Sequence, residues 1–315
     1  MVKNLEQLHN EFLHECEYSG KIRPETVRGY KACFKLFNKL MCDITLPKQL
    51  NPTVMTEFFK RMETRERVVG KGIVKKGIKN STIATYRNKL DKFFKWLVAR
   101  KILKQDPFFG VPYPSVSYID RKYLKREDVE KIFTAIGYTI EWNGTFVKRR
   151  NVAMYMVLLN CGLRKGELIG LKLLDIDFDH KELRVRAETS KSKIDRYVPM
   201  NSFVITALKE YLEERKSRKY TTPNLWVSDT ADRGFTQSGF KHLNEKVKIM
   251  SGVEFHPHRF RHTFAVNILD KGCDIFKLKQ LLGHSDIRMT STYLRCLPTQ
   301  SMQQDVEKLS MASLL

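Results

Sequence analysis

Apolar residues recur at helical spacing through the first hundred positions. Leu5, Leu8, Phe12 and Cys16 form one stripe, and Val27, Tyr30, Phe34 and Phe37 a second. Each stripe steps by three or four residues, as one face of an α-helix requires. Asn51-Pro52 reads as an N-cap followed by proline at the first helical position, opening a third helix through Val54, Phe58 and Met62. A fourth begins near Ser81 and carries Ile83, Tyr86, Leu90, Phe93 and Leu97 on one side. The pattern predicts a four-helix domain over residues 1–104 whose aromatic residues form a core. Between the third and fourth helices, Arg65, Arg67, Lys71, Lys75, Lys76 and Lys79 lie in a glycine-broken segment that reads as a basic loop able to contact phosphates. A solvated loop is the competing reading. Asp106-Pro107, Gly110, Pro112 and Pro114 then interrupt any helix and mark a domain boundary.

The rest of the chain is helical with one change of period. A helix is predicted from Lys125 to Ile136, and a buried one, apolar nearly all round, from Asn151 to Asn160. Within 173–200 the strings LLDIDFD, ELRVRAE and RYVPM alternate as strands do and are separated by turn residues. They predict a three-stranded antiparallel sheet with the lysine-bearing turn SKSKID between its last two strands. Helices are expected again at about 202–216, 236–250, 258–270, 274–282 and 288–294.

Charge sharpens this picture. The chain has 57 Lys and Arg against 35 Asp and Glu, a net charge of +22, which points to a polyanionic partner. Residues 1–110 hold 23 basic and 11 acidic residues, and the remainder 34 and 24, so both halves are basic. The six cysteines form no CxxC pair and suit a reducing compartment. The charged N-terminus is no signal peptide, and the apolar run Val152–Leu159 is too short for a bilayer. These features predict a cytoplasmic protein.

Three strings carry candidate chemistry: CGLRKGELIGL (161–171), HPHRFRHTFAVNIL (256–269) and LLGHSDIRMTSTYL (281–294). Arg164 follows Gly162, where one helix should end and the next begin, and Glu167 is placed to orient it or to cap the helix. His258 and Arg261, three apart, share a helix face; His262 points about a hundred degrees away and reads as a packing residue or as one that supports the site residues from behind. His256 and His258 form an HxH pair without a third ligand nearby, so no metal site is expected. Gly283 closes a helix and delivers His284, and Tyr293 follows nine residues later. Any one of these residues has an ordinary structural explanation. Their order and spacing together do not.

These strings, in this order, resemble the tyrosine recombinase family, also called the phage-integrase or Xer/Cre family. The resemblance implies a mainly α protein of two domains. An all-α four-helix core-binding domain (1–110) and a linker (111–122) would precede an α+β catalytic domain (123–298) with a small three-stranded antiparallel sheet and a tail helix (299–315). It implies DNA cleavage and rejoining with Tyr293 as nucleophile, and Arg164, Arg261, His258 and His284 around the phosphate. A lysine on the β-turn would protonate the leaving oxygen; Lys191 aligns with it, and Lys193 is the alternative. Neither a cofactor nor a metal is implied. The implied partners are double-stranded DNA with inverted-repeat core sites and three further copies of the chain, in a tetramer on two sites, with no membrane. The layout is closer to the Xer and Cre pattern than to larger integrases with a separate arm-site-binding module. The rival readings are a type IB topoisomerase, which uses the same chemistry to relax DNA, and a non-catalytic architectural DNA-binding protein. The latter leaves Tyr293 and both arginines unexplained.

Overall fold

The computed structural model describes residues 3–20, 22–70, 72–115, 123–190 and 192–299, with isolated positions 303, 306 and 307 beyond. Lys71, Lys191 and nearly all of the expected tail helix lie outside the described residues. The chain divides into two compact units, 1–118 and 119–315.

In the first unit, α1 (Leu5–Tyr18), α2 (Pro24–Leu40), α3 (Pro52–Thr64) and α4 (Asn80–Ala99) surround one core. Local chemistry starts these helices. The Asn4 side chain accepts from the Gln7 N–H while Gln7 Oε1 accepts from the Asn4 N–H, a reciprocal cap. Asn51 Oδ1 accepts from the Val54 N–H, with Pro52 at the first helical position as its missing donor permits. Phe37, Met55, Phe58, Met62, Phe94 and Leu97 are completely buried. Edge-to-face packing of Phe37 on Phe58, 5.2 Å between centroids, ties α2 to α3. His9 stacks on Phe34 at 4.0 Å, and burial pushes its pKa down to about 4.

The segment read as a basic loop is a β-hairpin. Strands β1 (Glu66–Val69) and β2 (Ile73–Lys76) pair antiparallel, with Val68 opposite Val74 and Arg67 opposite Lys75. Four β-branched residues flank Gly70 and Gly72, and their strand preference outweighs the loop-like impression left by the lysines. At its base the Gly77 N–H donates to the Arg65 carbonyl and Arg67 Nε donates to the Gly77 carbonyl. Gly77 sits at φ +65°, and a Cβ there would lie 2.3 Å from the Glu63 carbonyl oxygen.

The second unit is built on α6 (Thr145–Cys161), which packs against α8 (Ser202–Ser217) and α10 (His258–Asp270). Helix α6 starts six residues before the predicted Asn151, because Phe146 and Val147 already belong to its buried face. Helix α5 (Arg126–Thr134) loosens into a π-helical turn over Ala135–Thr139 instead of continuing regularly to Ile136. Strands β3 (Ile176–Asp177), β4 (Glu182–Val185) and β5 (Arg196–Pro199) form the expected antiparallel sheet in that order. Leu183, Val185 and Val198 turn into a core that also holds Tyr155, Tyr211, Trp226 and Phe260. The short helix α7 (Lys165–Ile169) is held by the Trp226 indole N–H, which donates to the Leu168 carbonyl at 2.7 Å. Helices α9 (Gln237–Ser251), α11 (Ile275–Leu282) and α12 (Ile287–Ser291) complete the unit. No described helix is long and apolar enough to cross a membrane.

Gly77→Ala should destabilise the first unit by about 1–2 kcal/mol from the left-handed backbone alone, with the Glu63 contact adding to it. Urea unfolding of the full chain checks this; an unchanged midpoint would show that the hairpin base tolerates a side chain.

Candidate active site

Helix α6 ends at Gly162, in the left-handed conformation at φ +60°. A Cβ there would meet the Phe264 ring at 2.4 Å, so glycine is required twice over. The chain turns sharply and places Arg164 immediately before α7. The Arg164 N–H donates to Glu167 Oε2 at 2.9 Å, and its Nη1 donates to Oε1 at 2.8 Å. Glu167 therefore both caps the helix and orients the arginine.

Glu167 also holds a residue that the motifs did not reveal. Arg196, on β5, donates from Nη1 to Oε1 at 3.1 Å and from Nη2 to Oε2 at 2.6 Å, a two-pronged pair. Its Nε donates to the Leu281 carbonyl at the end of α11. The period-two pattern of RYVPM contained a signal: Arg196 lies in phase with Val198, on the buried side of the strand. Burial opposes ionisation of Glu167, but the Arg196 hydrogen bonds and charge, with the Arg164 N–H and charge, outweigh it and hold the carboxyl near pKa 2.

Arg261, on α10, is completely buried. It donates to the Gly162 carbonyl at 2.9 Å, to the Leu282 carbonyl at 2.6 Å and to His284 Nε2 at 3.0 Å, and it lies 3.8 Å from Glu167. Its Nε has no hydrogen-bond partner among the described residues. Burial and the charge of Arg164 pull its pKa down to about 10, so it stays cationic at neutral pH. Because a guanidinium only donates, His284 Nε2 must accept, and Nδ1–H donates to Thr290 Oγ1 at 2.9 Å. Burial, followed by the charges of Arg261, Arg164 and Arg196, drives the His284 ring down to about pKa 3; it is a neutral imidazole.

Tyr293, just past α12, is 3% exposed. Its ring lies parallel to that of His284 at 6.3 Å and tilted against His262 at 5.3 Å; His262 in turn packs edge-on against His258 at 4.6 Å. His262, read as a packing residue, thus bridges His258 and the tyrosine. The fold links Arg164, His258, Arg261, His284 and Tyr293 through direct contacts or a shared neighbour. Lys193 is exposed on the turn between β4 and β5, with φ +55°. Arg65, Arg67, Lys75, Lys76 and Lys79 line the hairpin of the first unit and its two ends. No group of three potential metal ligands occurs among the described residues.

A mainly helical, two-unit chain with this site belongs to the phage integrase family, which its sequence matches over residues 122–299. Residues 7–111 match the phage integrase SAM-like domain. It is a DNA strand-transferring enzyme of the tyrosine recombinase class. Tyrosine recombinase XerC of Bacillus pumilus strain SAFR-032 is 31% identical over 69% of this chain and 71% of its own. Tyrosine recombinase XerD of Listeria monocytogenes serotype 4b strain F2365 is 27% identical over 92% of this chain and 94% of its own. In fold, the chain resembles the Tn1549 transposon integrase solved with transposon right-end DNA, with TM-score 0.73 and 21% identity over 96% and 98% of the two chains. It also resembles the XerH site-specific recombinase bound to a palindromic difH substrate, with TM-score 0.67 and 18% identity over 94% and 82%.

Glu167→Ala would leave buried guanidinium groups without their counter-ion and should cost about 3–5 kcal/mol in urea unfolding. The depressed pKa of His284 sets a pH dependence. Above about 6.5 the ring is neutral in both folded and unfolded chains; as pH falls from there toward 3 only the unfolded chain takes up the proton, so stability is progressively lost. The urea midpoint should therefore fall less steeply between pH 6.5 and 4 in His284→Gln than in the parent. Equal slopes would contradict a neutral buried ring.

Proposed function

We propose that the chain carries out site-specific DNA recombination through a covalent 3′-phosphotyrosyl intermediate. The observation that supports this best is the packing of Tyr293 among His284, His262 and the Arg261 clamp. A phenol is a poor nucleophile at neutral pH unless cations stabilise the developing phenolate and the phosphorane. In the proposed step the Tyr293 hydroxyl oxygen bonds to phosphorus as the bond to the 5′ oxygen breaks. Arg164 and Arg261 hold the non-bridging oxygens, where charge grows in the transition state. Lys191, which falls between β4 and β5 in sequence, gives its proton to the departing 5′ oxygen, with Lys193 the alternative donor. His258 takes the tyrosine proton and returns it on resealing, and neutral His284 donates a hydrogen bond to the phosphate.

That last role requires His284 to exchange its present partners, because Nε2 accepts from Arg261 and Nδ1–H is given to Thr290. Tyr293 is likewise covered, so engagement of DNA must shift the segment around α12 before the phenol reaches a phosphate. The energy of the cleaved phosphodiester is kept in the protein–DNA bond.

The partner is double-stranded DNA with inverted-repeat core sites, and a tetramer on two such sites would exchange strands. The basic residues Arg65, Arg67, Lys71, Lys75, Lys76 and Lys79 would contact phosphates from the first domain. Integration or excision of a mobile element and resolution of DNA multimers both use this chemistry. Tyr293→Phe should bind DNA nearly as the parent does yet form no covalent adduct on a nicked suicide substrate, read by denaturing gel. An adduct formed by the Phe variant would remove Tyr293 from the nucleophile's place.

A further inference from the structure

The hairpin between α3 and α4 carries an apolar surface beside the cations proposed above to contact phosphates. Among its described residues from Glu66 to Lys76 none is fully buried; Arg67 and Val69 are half-buried and the others are exposed, so the face that bears Val68 and Val74 is the open one. Its register divides it into two faces. One bears Glu66, Val68, Val74 and Lys76; the other bears Arg67, Val69, Ile73 and Lys75. Val68 is 73% exposed and Val74, directly opposite it, is 59% exposed, which makes an apolar cross-strand pair in open solvent. A two-stranded ribbon with one face open to solvent gains little from burial and is marginal in water by itself. Basic residues accompany the valine pair: Lys76 shares its face, Arg65 and Lys79 flank the base of the hairpin, and Lys75 lies on the opposite face.

We propose that this ribbon is a base-reading element that enters the major groove of duplex DNA, with Val68 and Val74 against thymine methyl groups. The inference rests on the DNA-binding reading above and adds a mode of recognition to it. Charge complementarity selects the partner: a surface of lysine and arginine with one acidic residue, Glu66, on the ribbon matches a polyanion and not an apolar protein face. Dimensions select the groove, because the major groove of B-DNA admits a two-stranded ribbon and the minor groove is about half as wide. Inside it, apolar side chains read the thymine methyl, which is the contact the valine pair can make. Lys76 on the same face can donate to guanine O6 and N7. Lys75 and Lys79 have flexible stems long enough to pass the ribbon edge and reach phosphates on the groove wall. A ribbon that met phosphates alone would have no use for a paired apolar surface on its most exposed face.

The test starts from duplexes enriched from a random-sequence library by the full-length chain. Each thymine of the enriched site is replaced in turn by uracil, which lacks only the methyl group, and binding is measured. One or two positions should weaken about fourfold, the size expected for one buried methyl group. Those losses should vanish in the double variant Val68→Ser/Val74→Ser. They should persist in Val69→Ser/Ile73→Ser, which perturbs the ribbon at least as much from its other face. Lys75→Gln/Lys79→Gln should reduce the slope of log affinity against log salt by about two. A reduced slope with no uracil position that depends on Val68 and Val74 would mean phosphate contact only and would overturn the inference while leaving the proposed function intact. Failure of the parent chain to enrich any duplex would overturn both.

Discussion

Three guanidinium groups and one carboxylate share the interior of the second unit, and the carboxylate of Glu167 makes that possible. Like charges gathered around one carboxylate repel one another, and a poorly hydrated interior screens that repulsion less than water would. Glu167 answers this by accepting from Arg196 with both oxygens, from the Arg164 side chain and from the Arg164 backbone, with Arg261 just beyond hydrogen-bond range. The same contacts fix where elements stand. They join the start of α7 to β5, and Arg196 passes the connection on to the Leu281 carbonyl at the end of α11. Strand, short helix and histidine-bearing turn thereby become parts of one electrostatic unit.

Protonation states follow from that arrangement. Burial first, and then the positive charge of the arginines, keeps the His284 imidazole neutral, and a neutral ring can accept from Arg261 on one side and donate on the other. In the proposed reaction this matters more than the presence of a histidine as such. An imidazolium would compete with the arginines for the phosphate oxygens and add desolvation cost. The phenol of Tyr293 instead lies against a ring without charge, and the cationic field comes from groups whose position is fixed.

The helices and the sheet were legible because stripes of apolar residues carry period and phase. The four amphipathic stripes of the first unit and the alternation in RYVPM each state which side is buried. The hairpin was missed because its valines and isoleucine are not buried, so its alternation signals no core, and its lysines resemble a solvated loop. At the site, the spacing of the motif residues led to Arg164, His258, Arg261, His284 and Tyr293, which the fold brings together. Arg196 and Thr290 escaped because their importance depends on partners 29 and six residues away respectively, and no local pattern encodes those pairings. His262, one position beyond Arg261 and expected to point away from the site, packs on both His258 and Tyr293; the aromatic chain that it completes exists only in three dimensions.

Arg261 is neutralised in part by backbone. The carbonyls it binds, at Gly162 and Leu282, are the free ends of two helices, where the aligned peptide dipoles leave partial negative charge. Counter-charge of that kind belongs to the main chain and does not depend on which side chain position 282 bears. Substitution of neighbouring side chains therefore leaves these two carbonyl partners in place, as long as α6 and α11 end where they do. What this counter-charge requires is the length and termination of two helices, a geometric condition set by the backbone.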